Sequence, residues 1–103
     1  MQILESKIER QCKLLAKEHG CLLLKIEKQR GWPDRLLVCP NGSMMFLEFK
    51  RPGGSLSPLQ SYTFDVLRSM NVSVEEVDNQ ILFLALLQSR GVPMSTKKEA
   101  SSG

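Results

Sequence analysis

The stretch from Asp34 to Lys50, with the sequence DRLLVCPNGSMMFLEFK, decides the fold. Two apolar segments of strand length, residues 34–39 and 44–50, flank the tripeptide Pro40-Asn41-Gly42. Proline, asparagine and glycine are the residues that tight turns favour. The stretch therefore predicts two antiparallel strands joined by a short hairpin loop.

The length of that loop decides which side chains meet. A two-residue loop would place Asp34 opposite Phe49 and point its carboxylate away from Glu48, because neighbours along a strand face opposite sides. A three-residue loop would place Asp34 opposite Glu48, with their Cβ atoms about 5 Å apart. Proline suits the second position of a type I turn, and glycine supplies the left-handed residue of the bulge that follows. We therefore predict the three-residue loop or an equivalent bulge.

That register creates a candidate hydrolytic site. Lys50 lies two positions after Glu48, so both side chains face the same side of the sheet. Two facing carboxylates repel each other unless a cation lies between them, and hard cations such as Mg²⁺ prefer oxygen ligands. Such an ion can offset phosphate charge and activate water, while a lysine can stabilise the transition state. Asp34, Glu48 and Lys50 thus predict metal-dependent phosphodiester hydrolysis.

Apolar periodicity and capping signals predict the other elements, in the order α-β-β-β-α-β-α. Ser57, Pro58 and Gln60 have the spacing of a capping box that begins a helix. Asp78 is the expected cap of the last helix, and the whole is an α/β sandwich with helices flanking a mixed sheet. The predicted spans are 2–19 (helix), 21–26, 34–39 and 44–50 (strands), 58–70 (helix), 72–77 (strand) and 79–90 (helix).

The helical patterns also predict which faces are buried. On the first helix Glu5 lies at the edge of the apolar stripe, where it could reach a metal, and Glu9 lies further round and is expected to be the more exposed. The expected buried residues are Leu4, Ile8, Cys12 and Leu15 on the first helix, and Leu59, Tyr62, Val66 and Met70 on the second.

Composition places the chain among globular proteins. Its 103 residues are 42% apolar and 24% charged, which fits one domain over residues 1–92 and a polar tail, expected to be disordered, over 93–103. The net charge of +3 suits a polyanionic partner. The sequence contains no apolar run of about 18 residues and no secretory signal, so we expect a cytoplasmic protein without membrane or small-molecule cofactor.

The cysteines and the histidine argue against a zinc site. Cys12, Cys21 and Cys39 are odd in number and far apart, which indicates reduced thiols packed as small core residues. The one histidine, His19, lies in the last turn of the predicted first helix, next to its capping Gly20.

At its motifs the chain resembles the PD-(D/E)XK nuclease superfamily and, more narrowly, the compact stand-alone VRR-NUC proteins found in phages. The resemblance covers about residues 3 to 80 and keeps the family's order. The segments that carry it are Glu5-Ser6-Lys7-Ile8-Glu9, Gly31-Trp32-Pro33-Asp34-Arg35, Phe46-Leu47-Glu48-Phe49-Lys50 and Ser57-Pro58-Leu59-Gln60.

This resemblance implies a restriction-endonuclease-like fold and a role for each matching residue. Asp34, Glu48 and the main-chain carbonyl of Phe49 would bind Mg²⁺ or Mn²⁺, Lys50 would be the catalytic lysine, and Glu5 and Gln60 would complete the site. It further implies a homodimeric DNA endonuclease similar to Holliday-junction resolvases, in the host cytoplasm if phage-encoded. Other branches often carry tyrosine where this chain has Phe64, which puts a phenolic role there in doubt.

Other readings remain open beside the hydrolytic one. The same fold could serve as a non-catalytic module for DNA-junction binding or for assembly in replication and repair, through the apolar last helix. Trp32 could stack on a base or pack under the hairpin, and packing is the expectation. The candidate DNA-contacting cations are Lys25, Arg30, Arg35 and Arg51.

Overall fold

The structure, a computed structural model, describes residues 4–27 and 29–94. Its elements follow the predicted order, and no helix in this described part of the chain combines the length and apolar character needed to cross a membrane. The predicted tail falls mostly on residues 95–103, which lie outside the described residues. The elements are α1 (Glu5–Glu18), β1 (Leu22–Lys25), β2 (Arg35–Val38), β3 (Met44–Phe49), α2 (Pro58–Ser69), β4 (Val74–Val77) and α3 (Gln80–Ser89).

The four strands form one mixed sheet in the order β1-β2-β3-β4. β1 pairs antiparallel with β2, and β2 pairs antiparallel with β3. β4 pairs parallel with β3, and α2 makes the crossover between these two strands. The predicted mixed α/β sheet flanked by helices is therefore confirmed.

The hairpin between β2 and β3 has the predicted three-residue loop. Arg35 lies opposite Leu47, and the Cys39 amide donates to the Ser43 carbonyl at 2.8 Å. Gly42 has a φ of 86°, the left-handed conformation that a side chain disfavours. Extending the register by one residue beyond Arg35 brings the segment of Asp34 alongside that of Glu48.

The core lies on both faces of the sheet. α1 and α3 cover the face that carries Leu37, Leu47 and Phe49, and Phe49 packs on Phe83 with ring centroids 6.5 Å apart. α2 covers part of the other face. Each large buried side chain of this kind stabilises the fold by about 1.5–3 kcal/mol. The residues of this second, smaller cluster are Phe64, Leu67 and Val74, with Phe46, Leu56 and Val72 at its edge.

The three cysteines are free and buried, as predicted. Burial raises the pKa of the Cys12 thiol to about 12, so this thiol stays protonated at neutral pH. His19 follows the end of α1, where its Nδ1 lies 2.9 Å from the Leu15 carbonyl oxygen. These residues serve packing and helix termination.

The predicted buried face of α2 is wrong. Tyr62 and Met70 are 67% and 66% exposed, and the residues that pack on the sheet are Phe64 and Leu67. Two stripes on this helix have helical spacing, and the inward one also carries the polar Gln60. The apolar pattern favours the stripe without a glutamine, although Gln60 faces inward and donates to Glu48.

Smaller corrections concern the element ends. Leu4, which was expected in the buried stripe of the first helix, precedes α1 and is 66% exposed. The buried residues of α1 are Ile8, Cys12 and Ala16. Asn79, rather than Asp78, caps α3 by accepting a hydrogen bond from the Leu82 amide at 2.8 Å. The fourth strand begins at Val74 rather than at residue 72.

Candidate active site

The start of β2 and the end of β3 lie side by side and open into a cleft of about 460 Å³. Asp34 directly precedes β2, and Glu48 is the penultimate residue of β3. Four further predicted site residues also line the cleft, namely Glu5, Lys25, Arg35 and Gln60. The structure thus brings most of the predicted site residues to one place.

Two carboxylate oxygens in this cleft lack hydrogen-bond partners. Asp34 Oδ1 and Glu48 Oε1 are both buried, and neither accepts a hydrogen bond from any residue that the structure describes. A buried polar atom without a partner costs free energy, and a buried unpaired charge costs more. Two such oxygens on neighbouring strands are the donor set that a divalent cation would satisfy.

The electrostatics of the pair are consistent with this. Burial raises the pKa of the Glu48 carboxyl group, the charge of Asp34 raises it further, and Lys50 opposes the shift. Burial likewise raises the pKa of Asp34, while the Arg35 guanidinium lowers it. Burial therefore disfavours two adjacent negative charges, a penalty that a bound cation would offset.

Lys50 and Gln60 hold the other oxygen of Glu48. Gln60 Nε2 donates to Glu48 Oε2 at 3.1 Å, and Lys50 Nζ lies 3.6 Å from the same oxygen. Lys50 Nζ also donates to Gln60 Oε1 at 3.4 Å. These contacts fix the carboxylate through Oε2, so Oε1 stays available in the cleft.

Gln60 also closes the capping box of α2. Its Oε1 accepts from the Ser57 amide at 2.9 Å, and its own amide donates to Ser57 Oγ at 3.2 Å. The predicted capping role and the predicted site role therefore belong to one side chain. The beginning of α2 is in this way tied directly to the carboxylate of Glu48.

Arg35 joins Asp34 to α1. Its side chain is 16% exposed, and its Nη2 contacts both carboxylate oxygens of Glu9 in an ion pair. Its Nη1 donates to the Asp34 carbonyl at 2.8 Å. Nη1 also lies 3.8 Å from Asp34 Oδ2. This guanidinium, which was predicted to contact DNA, is engaged with protein groups around Asp34.

The predicted ranking of Glu5 and Glu9 by exposure is wrong. Glu5 is exposed, although it lines the cleft, whereas the Glu9 side chain is 24% exposed. The reason is Arg35, which reaches from β2 to pair with Glu9 and which a helical wheel cannot show. Within residues 4–27 and 29–94, no group of three His, Cys, Asp or Glu side chains is arranged to hold one ion.

The remaining predicted residues lie around the cleft. Phe49 ends β3 with its side chain in the core, while Arg30 and Arg51 are exposed. Sequence reasoning missed a basic stretch of α1, although its spacing of three and four residues is a helical signal. Its residues, Arg10, Lys13 and Lys17, line two shallow grooves along β1, one of which meets the cleft at Lys25.

Comparison with known families gives a match over most of the chain. The family model described as "VRR-NUC domain" matches residues 4–78, which include every segment of the site. The chain belongs to the VRR-NUC family. The match to the VRR-NUC model spans Asp34, Glu48 and Lys50.

Two relatives extend the comparison. "Putative nuclease p44" of Acyrthosiphon pisum secondary endosymbiont phage 1 is 39% identical over 54 residues, which cover 52% of this chain and 58% of that protein. A solved structure titled "VRR_NUC domain" has a TM-score of 0.70 at 24% identity and covers 82% of this chain and 94% of its own. The second likeness shows that the VRR-NUC fold is shared.

Proposed function

We propose that this VRR-NUC protein is a nuclease that hydrolyses DNA phosphodiester bonds with Mg²⁺ or Mn²⁺ held by Asp34 and Glu48. The observation that carries the proposal is the pair of buried carboxylate oxygens without partners. The name of the family and that of the phage relative, a nuclease, support it. The Phe49 carbonyl and Glu5 are further ligand candidates implied by the family resemblance.

Glu48 and Lys50 have different roles in the proposed hydrolysis. A bound divalent cation would offset phosphate charge and lower the pKa of a water molecule. Glu48 is held in one orientation by Gln60, so its free oxygen does not need to reorganise during the reaction. Lys50 places an ammonium group beside this carboxylate, where it can donate to a phosphate oxygen as negative charge develops.

The surface supports a polyanionic substrate. Lys25 lies on the cleft wall, and the α1 cations continue the basic surface along β1. Lysine and arginine side chains attract the phosphate backbone without reading sequence. Arg30 and Arg51 are exposed and remain candidates for the same role.

We further propose that the substrate is branched DNA, including the four-way junction, and that the protein acts as a homodimer. Symmetric incision of a junction requires two sites related by a two-fold axis. Leu22, Val38 and Met44 are neighbours across β1, β2 and β3. Leu22 and Met44 are 58% and 57% exposed, so this row offers an apolar surface on which a second copy of the chain could pack.

A cleavage panel tests the proposal. End-labelled single-stranded, duplex, flap and four-way DNAs are incubated with the protein in Mg²⁺, in Mn²⁺ and in EDTA. We expect nicked products from branched substrates with either metal and none in EDTA. A gel shift of the junction without product at any metal concentration would instead support the alternative, a binding module on the same fold.

Gln60 both caps α2 and donates to Glu48, and two variants separate these contacts. Ser57→Ala removes the cap but leaves the amide on Glu48, so we expect a loss of about 0.5–2 kcal/mol in stability with cleavage retained. Gln60→Glu can keep the cap but cannot donate to Glu48, so we expect at least about a tenfold loss of cleavage. Thermal unfolding and single-turnover cleavage measure both. Equal activity losses in the two variants would contradict a direct role of Gln60.

A further inference from the structure

Trp32 exposes an aromatic ring on the wall of the cleft. It is the single tryptophan of the chain and is 42% exposed. The same wall carries Asp34 and Glu48, and Trp32 precedes Asp34 by two residues. This partly exposed indole lies beside the candidate catalytic site, where it can contact a bound ligand.

The surrounding loop holds this ring in a defined place. The Trp32 amide donates to the Gln29 carbonyl at 3.0 Å, and the indole contacts Phe46 edge-to-face with centroids 6.4 Å apart. Gly31, at a φ of 82°, lets the loop approach α2 so closely that a Cβ there would lie 2.7 Å from Leu59 Cγ. The following Pro33 is fully buried. The ring is therefore preorganised for a ligand.

The cleft around the ring suits one nucleotide. Its volume of about 460 Å³ falls within the range of small-ligand sites, about 300–1,000 Å³. A phosphate near Asp34 and Glu48 would leave the attached nucleoside free to reach the same wall, where Lys25 adds a positive charge. Aromatic rings stack on every base, but only where the base is not already covered by its neighbours in a duplex.

We propose that Trp32 is a stacking platform for an unpaired DNA base next to the phosphodiester that is cut. This inference rests on the proposed nuclease function and deepens it, because it names the feature selected: a nucleotide that has left the duplex stack. Such nucleotides occur in single strands, at flaps and at branch points. A continuous duplex offers none.

Tryptophan emission tests the contact directly. In EDTA, where no cleavage occurs, we expect a single-stranded oligonucleotide to quench the emission, and a strand of equal length with abasic sites to quench it far less. The signal belongs to Trp32 alone, since the chain has no second tryptophan. Equal quenching by both strands, or no quenching by either, would overturn the inference.

Variants of Trp32 test its consequence for selectivity. We expect Trp32→Leu to raise KM for single-stranded or flap substrates by about 5- to 150-fold, with kcat little changed, and Trp32→Phe to restore most of the loss. The matched control is Tyr62→Leu, an exposed aromatic on the outer face of α2. An equal loss on paired and unpaired substrates would show that the ring serves packing, and the inference would fall.

The two experiments separate this inference from the proposed function. Base-dependent quenching without cleavage of any substrate would keep the platform and remove the nuclease assignment. Cleavage in Mg²⁺ without base-dependent quenching would keep the nuclease and remove the platform.

Discussion

Glu48→Gln is expected to abolish cleavage and, at the same time, to stabilise the metal-free protein. The amide cannot provide the charge that a divalent cation needs, so catalysis should fall below detection. The same change neutralises the buried carboxylate of Glu48, whose charge lies near that of Asp34. Removing the Glu48 charge relieves its desolvation and its repulsion by Asp34, and we expect this gain to exceed the loss of the contact with Lys50, so the metal-free variant should be more stable.

The stability gain should depend on pH and on metal. The pKa values of Asp34 and Glu48 are raised in the folded protein, mainly by burial, so the folded state binds protons more tightly than the unfolded state. Metal-free wild type is then most stable below the unfolded-state pKa and loses stability as pH rises through the folded pKa. At neutral pH the wild type has therefore lost this stability. Glu48→Gln removes the part of the loss that comes from ionisation of Glu48.

Thermal unfolding in EDTA and in Mg²⁺ measures this prediction. A gain of 1 kcal/mol raises the midpoint of a domain of this size by about 4–8 °C. Mg²⁺ should stabilise wild type but not the variant. Glu76→Gln is the matched control, because Glu76 lies opposite Glu48 on β4 but is exposed. A variant that is less stable in EDTA and still stabilised by Mg²⁺ would contradict the assignment of Glu48 as a metal ligand.

Lys50→Ala is expected to keep DNA binding and to lose cleavage by about 10²- to 10³-fold, the cost of removing one group that stabilises transition-state charge. The Lys50 ammonium contacts Glu48 and Gln60 rather than open solvent, so it contributes little to attraction of DNA from a distance. The loss should therefore appear in kcat, with KM nearly unchanged.

A gel shift in EDTA and single-turnover cleavage in Mg²⁺ separate binding from chemistry. Arg51→Ala is the matched control, because Arg51 is the next residue and is exposed. We expect it to weaken binding at low salt, and less so at higher salt, because one phosphate contact fewer makes binding less salt-dependent, without slowing the bound substrate. Unchanged cleavage by Lys50→Ala would end the assignment of this lysine as catalytic.

Local chemistry explains what the sequence could predict. The register of β2 and β3 follows from Pro40, Asn41 and Gly42, because turn conformation is set by the residues within it. The capping box at Ser57 and Gln60 is equally local. The first feature predicts that Asp34, Glu48 and Lys50 share one side of the sheet, whereas a site role for Gln60 is implied only by the family resemblance.

Features that depend on distant residues could not be predicted. The partial burial of Glu9 results from its ion pair with Arg35 on another element, and no pattern within α1 contains that information. The inward face of α2 carries Phe64, Leu67 and Gln60, and the contact of Gln60 with Glu48 on another element is not visible in the helical pattern. That Asp34 Oδ1 and Glu48 Oε1 lack hydrogen-bond partners can be recognised only from the positions of all surrounding donors, which the sequence does not give.

The hairpin loop between Cys39 and Ser43 has a consequence for the natural variation of this protein. Inserting or deleting one residue there would shift the strands by one position and turn Asp34 toward the opposite side from Glu48. Substitutions at this tip are limited to residues that keep the turn, because Gly42 has a left-handed φ of 86° and Asn41 donates to the Arg90 carbonyl at 2.6 Å. Changes in the length of this loop should be rarer still among active relatives. An odd number of loop residues should persist even where the residues of the loop differ.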